Sequence, residues 1–240
     1  MENNNYCYLR FPVQILQEPF KNKDFMGHKI FYYGIINHMV YNQIGLTESE
    51  YENLLDTLEC YSYGILDESI SYFKDRFETA MNVYTEIDDS LENKVFSNLK
   101  LEWILDFISG EKTDFEIAVF RAVVAFKSIL GTKAYVKFTN EYLLCRMFGY
   151  GSIKDVPNEV DFAYRIYSKR YQLDKIKSKL ESFSFTFYGK NMRGCYVCLT
   201  KKLDFAKLVL IAESNRKSAK EKRLKTERER IIAEVKKRLN

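Results

Sequence analysis

The sequence predicts a mainly α-helical protein with a small β-hairpin near its C-terminal end. Apolar residues recur every three or four positions through most of the 240 residues, which is the spacing of amphipathic helices. In residues 183–200 the repeat changes to every second position, as in strands. The chain holds only 10 Gly and 3 Pro, too few for a fold built from many tight turns or for a glycine-rich phosphate loop.

Residues 1–110 predict an acidic, mainly helical domain that serves self-association or a protein partner. A short extended segment at residues 6–15, restricted to a sheet edge by Pro12, precedes a buried helix at residues 29–43. Thr47 and Glu50 form a capping box that opens the next helix. Two further helices are expected, at residues 66–84 and 91–108.

The sequence pattern of residues 111–202 predicts helices, a strand and a hairpin in a defined order. Thr113 and Glu116 form a second capping box before a helix that ends near Gly131. A strand at 134–138, a short helix at 140–148 and a turn at 149–152 follow. One longer helix is then expected from residue 158 to about 181, and residues 183–200 form the hairpin.

Helix, strand, helix, turn, helix and hairpin is the order of a winged helix-turn-helix module, and residues 114–201 resemble that superfamily in this order. The resemblance implies a DNA-binding domain at 111–202, with a helix that enters a groove of the duplex. The link at 149–158 is long for this superfamily. The recognition helix is therefore either the helix at 158–181 or the shorter one at 140–148.

The charge of the chain changes sign along its length. Residues 1–151 hold 14 Lys and Arg against 22 Asp and Glu, whereas residues 152–202 hold 11 against 5. Residues 213–240 again hold 11 against 5, and the formal net charge is +4. Basic segments of this kind indicate an acidic partner, most often nucleic acid.

The candidate DNA-binding residues combine cations that neutralise phosphates with side chains that can read base edges. Several of them follow one stripe, at positions 165, 168, 172, 175 and 179, beside the apolar stripe of the predicted helix. The candidates on the helix are Arg165, Lys169, Arg170, Gln172, Lys175 and Lys179, and those at the hairpin tip are Lys190, Asn191 and Arg193.

Residues 203–240 predict a basic C-terminal helix or a frayed basic arm. Leu224, Ile231 and Val235 hint at a heptad that is too broken for a coiled coil. Such an arm adds salt-dependent affinity for nucleic acid, or it serves only solubility.

No catalytic residue, metal site or cofactor is predicted. Cys195 and Cys198 have a CxxC spacing, but on a strand their sulfurs point to opposite faces, and no second pair completes a zinc site. His28 and His38 fit no catalytic signature, and no nucleotide-binding glycine motif occurs. Acidic residues around Asp88 would serve a metal-dependent nuclease only if they converged in one cleft.

The sequence therefore predicts a sequence-dependent binder of double-stranded DNA that is cytoplasmic, not an enzyme, and dimeric, with no membrane or small-molecule partner. Its architecture is similar to that of regulators and replication-initiation proteins of mobile elements. The alternative is a helical adaptor that binds an acidic protein through the same basic surface. A cytoplasmic location follows from five scattered Cys and from a start without a secretory segment.

Overall fold

The computed structural model describes residues 7–61, 70–189 and 194–239, which are mainly helical, as predicted. The α-helices are α1 (Lys23–Tyr41), α2 (Glu48–Tyr61), α3 (Phe77–Ser90), α4 (Leu101–Ile108), α5 (Asp114–Leu130), α6 (Asn140–Met147), α7 (Phe162–Tyr167), α8 (Arg170–Leu180) and α9 (Phe205–Leu239). The strands are β1 (Tyr8–Pro12), β2 (Phe96–Lys100), β3 (Tyr135–Phe138), β4 (Phe185–Tyr188) and β5 (Cys195–Leu199). Short 3-10 helices lie at Val13–Gln17, Ile153–Asp155 and Glu181–Phe183.

The first sheet is an antiparallel ribbon of β1 and β2, in which Tyr8 stands opposite Lys100. Side chains alternate between the two faces of a strand. Leu9, Phe11 and Leu99 consequently share the inner face, where all three are fully buried. The extended segment predicted at residues 6–15 is thus confirmed for Tyr8–Pro12 and wrong from Val13, where a 3-10 helix begins, and β1 is the edge strand that its proline requires.

The helix α1 packs on this inner face, and a glycine in its middle permits the contact. A Cβ atom built on Gly34 would lie 2.8 Å from the Cβ of Leu9, closer than two such atoms can stand. Glycine weakens the middle of a helix. Here it allows a buried helix and a buried strand to meet, which explains its position in the predicted central helix.

The prediction of one helix over residues 91–108 is wrong for its first half. Phe96–Lys100 form β2, and α4 begins only at Leu101. The pairing of β2 with β1 and a hydrogen bond from the Ser97 hydroxyl to the Val124 carbonyl oxygen, at 2.9 Å, hold this segment extended. Both partners are distant in sequence, so tertiary contacts override the local helical spacing.

The helices α2 and α3 also depart in part from the prediction. The Glu50 N–H donates to Thr47 Oγ1 at 3.3 Å, so Thr47 caps α2 through one of the two hydrogen bonds of the predicted capping box. Residues 72–75 form a turn where the sequence predicts a continuing helix, and α3 begins at Phe77. The predicted turn at 62–64 and the start of the predicted helix at 66–69 lie outside the described residues.

The helix α5 is the element on which both halves of the chain pack. Its capping box is confirmed, because the Thr113 N–H donates to the Glu116 carboxylate at 2.8 Å and the Glu116 N–H donates back to Thr113 Oγ1. One apolar core runs without interruption from Leu9 to Val197. The predicted domain boundary at residue 110 therefore lies in the loop between α4 and α5. The two predicted domains share one apolar core.

The second sheet is antiparallel with strand order β3-β5-β4. The hairpin of β4 and β5 is confirmed. On the inner face, Phe185 and Phe187 contact Phe126 of α5, with ring centroids 5.7 and 5.3 Å apart. On the outer face, Tyr196 and Cys198 pack against α9.

The single helix predicted at residues 158–181 is divided into α7 and α8. Lys169 has extended backbone angles, φ −66° and ψ 126°, and separates the two helices. At about 100° per residue, the buried side chains of α7 (Ala163, Tyr167) and of α8 (Leu173, Ile176) would face roughly 130° apart on one continuous helix. The break turns both apolar faces toward the same core.

The helix α9 is long and packs only through its beginning. Leu208 and Ala212 are fully buried on the outer face of the second sheet, whereas residues 217–237 are exposed. Within the described ranges, no helix combines the length and the apolar character needed to cross a bilayer.

Candidate nucleic-acid interface

Three of the predicted site residues lie together, exposed, where α7 meets α8. Arg165 is on α7, Lys169 is the residue at the break, and Arg170 begins α8. The Arg170 Nε atom lies 3.5 Å from Asp174 Oδ2, and its side chain is 63% exposed. An ion pair so exposed contributes little to stability. The guanidinium can therefore exchange this carboxylate for a phosphate.

Two of the other helix candidates, Lys175 and Lys179, are exposed and lie near the start of α5. The Lys175 ammonium lies 4.7 Å from the centre of the Phe115 ring. Lys179 lines a cavity of about 280 Å³ that Phe115 and Trp103 also line. Hydrogen bonds from Thr113 hold the pKa of Glu116 below its usual range, and the Lys179 charge adds to this. Gln172 is half-buried. The cationic stripe that the sequence predicts on a single helix is thus divided between α7 and α8.

A buried lysine on α8 was not singled out by the sequence. The side chain of Lys177 is fully buried, and its Nζ donates to Asp174 Oδ1 at 2.9 Å. The signal was available in the sequence, because position 177 lies about 40° from Leu173, beside the apolar positions 173, 176 and 180 on a helical projection. Lys177 therefore belongs to the packing of α8 and not to its exposed surface.

The predicted hairpin-tip candidates Lys190, Asn191 and Arg193 lie outside the described residues. The flanking strands β4 and β5 are described, and they form one sheet with β3. The CxxC prediction is confirmed in its geometry. Cys195 belongs to the inner core and Cys198 to the outer cluster on α9, so the two sulfurs lie on opposite faces of the sheet.

The C-terminal arm, residues 217–237 of α9, begins on the outer face of the second sheet. Two contacts of Glu213 hold the segment just before the arm. The Tyr188 hydroxyl donates a hydrogen bond to the Glu213 carboxylate, and Arg216 Nη1 lies 2.8 Å from Glu213 Oε1. These two partners hold the pKa of Glu213 below its usual range. The helix α8 packs in the core on the inner side. The arm and α8 consequently start from opposite sides of the sheet.

A basic groove that the sequence did not predict lies between the β1–β2 ribbon and the C-terminal end of α5. Its volume is about 730 Å³. The cations that line it are Arg10, Lys100, Lys127, Lys201 and Lys202, and the aromatic rings are Tyr8, Phe96, Trp103 and Phe183. The alternation of β1 and β2 could have placed Arg10 and Lys100 on one face, but nothing local relates them to residues 127 or 202.

In comparisons with known proteins, no protein-family model, curated protein or solved structure matches the chain. Across the described part of the chain, no three His, Cys, Asp or Glu side chains come close enough to hold a metal ion.

Proposed function

We propose that the chain is a DNA-binding protein that contacts duplex DNA through the junction of α7 and α8 and through the β4–β5 hairpin. The observation that carries the proposal is the position of Arg165, Lys169 and Arg170, which are exposed together within an arrangement of a helix, a strand, three helices and a hairpin. Cations at the start of a helix that follows a helix-turn unit are placed to contact phosphates and base edges in the major groove.

The order of the second sheet supports the likeness to a winged helix-turn-helix module. The strand after α5 pairs with the second strand of the hairpin, giving β3-β5-β4. This pairing ties the hairpin to the first helix of the unit, so a wing would be held rigidly beside α8. The basic arm of α9, with nine Lys and Arg against four Glu in residues 217–237, adds non-specific attraction to a polyanion.

In this proposal the protein acts as a homodimer on two half-sites, because one such unit contacts little DNA. The role is that of a regulator or replication-initiation protein of a mobile element, by analogy of architecture. The alternative, an adaptor for an acidic protein, uses the same cations but has no reason to distinguish base sequences.

The test is selection from a pool of random duplexes at fixed salt, followed by fluorescence anisotropy with the selected duplex. The wild-type protein is expected to enrich one sequence. The double variant Arg165→Gln, Lys169→Gln is expected to lose that preference and about 2 units of salt slope, near one for each lost phosphate contact. Lys175 stays unchanged because it packs on Phe115.

The matched control is Lys21→Gln, Lys133→Gln, which removes the same charge from two exposed positions elsewhere. It should keep the preference. A wild-type protein that enriches no duplex, or a double variant that keeps full preference, contradicts the proposal and favours the adaptor.

A further inference from the structure

The basic groove beside the β1–β2 ribbon gathers five cations from four separate elements or loops. Arg10 comes from β1, Lys100 from β2 and Lys127 from α5, and Lys201 and Lys202 follow β5. The residues that line the groove all belong to the described part of the chain, and none of them is Asp or Glu. An excess of cations over carboxylates among the lining residues raises the local concentration of anions.

The position of Lys127 shows how close these charges are. Burial, followed by the Lys202 and Lys100 charges, lowers the pKa of Lys127. Its ammonium lies 5.7 Å from the centre of the Trp103 ring. An anion bound in the groove would reduce the repulsion among the ammonium groups of Lys127, Lys202 and Lys100. The charges of the groove therefore favour binding of an anion.

Aromatic rings lie between the cations. Tyr8 is 47% exposed, although its neighbours on the inner face of β1 are fully buried. The Arg10 guanidinium lies 4.2 Å above the Phe96 ring, and Trp103 meets Phe183 edge to face at 5.7 Å. Cations beside an exposed ring, here Tyr8, are the combination found in sites that bind the phosphates and stack the bases of a flexible strand.

The surface continues past the ribbon into a second cavity of about 410 Å³. Tyr8, Arg10 and Asn98 line both cavities, and the second also includes Asn37 and Tyr41, which is 76% exposed. A mononucleotide would occupy one part of this path only. A duplex already stacks its bases internally and offers none to the rings. An unpaired strand is the ligand that can use the cations and the rings along the whole length.

We propose that this groove binds single-stranded nucleic acid, with phosphates held by Arg10, Lys127 and Lys202 and bases stacked on the exposed rings of Tyr8 and Tyr41. The site is separate from the α7–α8 junction and does not depend on duplex recognition there. A protein with both sites would hold a duplex at one surface and an opened strand at the other.

The test uses Trp103, the single tryptophan of the chain. Titration of the full-length protein with a short oligothymidylate is expected to change Trp103 fluorescence and to raise the anisotropy of the labelled oligonucleotide. The variant Arg10→Gln, Lys202→Gln is expected to bind at least tenfold more weakly, with a salt slope lower by about 1.4 units, which is about 0.7 for each lost phosphate contact on a single strand. Tyr8→Leu, which keeps every charge, is expected to bind about tenfold more weakly through lost stacking.

The control variant Arg165→Gln, Lys169→Gln should bind the oligonucleotide as the wild type does, even though duplex preference is lost. Three results overturn the inference: no change in Trp103 fluorescence, wild-type affinity in the groove variant, or thymidine monophosphate binding as tightly as the oligonucleotide. A failed duplex selection leaves the oligonucleotide result intact, so the two proposals fail independently.

Discussion

Arg121 offers the sharpest test of how the two halves of the molecule are joined. Its side chain is fully buried on α5, where Nη1 donates to the Leu16 carbonyl oxygen at 2.7 Å and Nη2 to the Glu18 carbonyl oxygen at 2.9 Å. The guanidinium also lies 5.0 Å from the centre of the Phe20 ring. Replacement by Met keeps most of the volume but leaves both carbonyl groups without this donor.

The expected cost is about 3 kcal/mol of unfolding free energy. Each hydrogen bond from a charged donor contributes roughly 1.5–3 kcal/mol, so two give about 3–6. The lower end applies because burial lowers the pKa of Arg121 to about 10. The wild-type protein therefore already bears a desolvation cost that Met does not.

The measurement is urea unfolding followed by circular dichroism at neutral pH. Arg121→Met should lower the midpoint with little change in slope, and Arg121→Lys should fall between, because one ammonium is poorly shaped to serve two carbonyl groups. The control Arg165→Met changes an exposed residue of the same type and should stay within about 0.5 kcal/mol of wild type. A loss below about 1 kcal/mol for Arg121→Met would refute the view that this residue joins the N-terminal segment to α5.

Two further predictions concern the attachment of α9 and the response to acid. Leu208→Ala should cost about 2–3 kcal/mol, because Leu208 is fully buried against the outer face of the second sheet. Hydrogen exchange should then speed up in the first turns of α9, whereas Leu210→Ala, a 71% exposed neighbour, should leave it unchanged; equal effects would contradict the packing described. Burial lowers the pKa of both His28 and His38 below the usual 6.5, so the unfolded state binds more protons just below that value, and the unfolding free energy should fall as the pH drops from about 7 to 5. The variant His28→Gln, His38→Gln should flatten this slope, and an unchanged slope would disprove the assignment.

Elements whose determinants are local were predicted well from the sequence. The capping box of Thr113 and Glu116 lies within one turn, and it opens α5 at the predicted place. Alternation over residues 183–200 likewise predicted β4 and β5, together with the opposite orientation of Cys195 and Cys198. In each case the atoms that decide the structure are within a few residues of one another.

Elements whose partners are distant were predicted incorrectly. β2 has helical apolar spacing, but β1 pairs with it and Val124 accepts the hydrogen bond of Ser97. The break at Lys169 is also a tertiary effect, since both α7 and α8 have helical sequences and only the shared core requires them to be turned. The predicted cationic stripe is divided at the same residue: Arg165 lies on α7, and Lys175, which is also exposed, lies on α8 against Phe115.

The sequence by itself determined the helical class, the caps, the hairpin and the sign of the charge in each segment, because these properties depend on residue type and short-range spacing. Only the tertiary structure determined which cations lie close together in space. Arg10, Lys127 and Lys202 are far apart along the chain, and they share a groove only because the β1–β2 ribbon, the end of α5 and the segment after β5 pack around one core. Proximity in space depends on that packing, which no local pattern encodes.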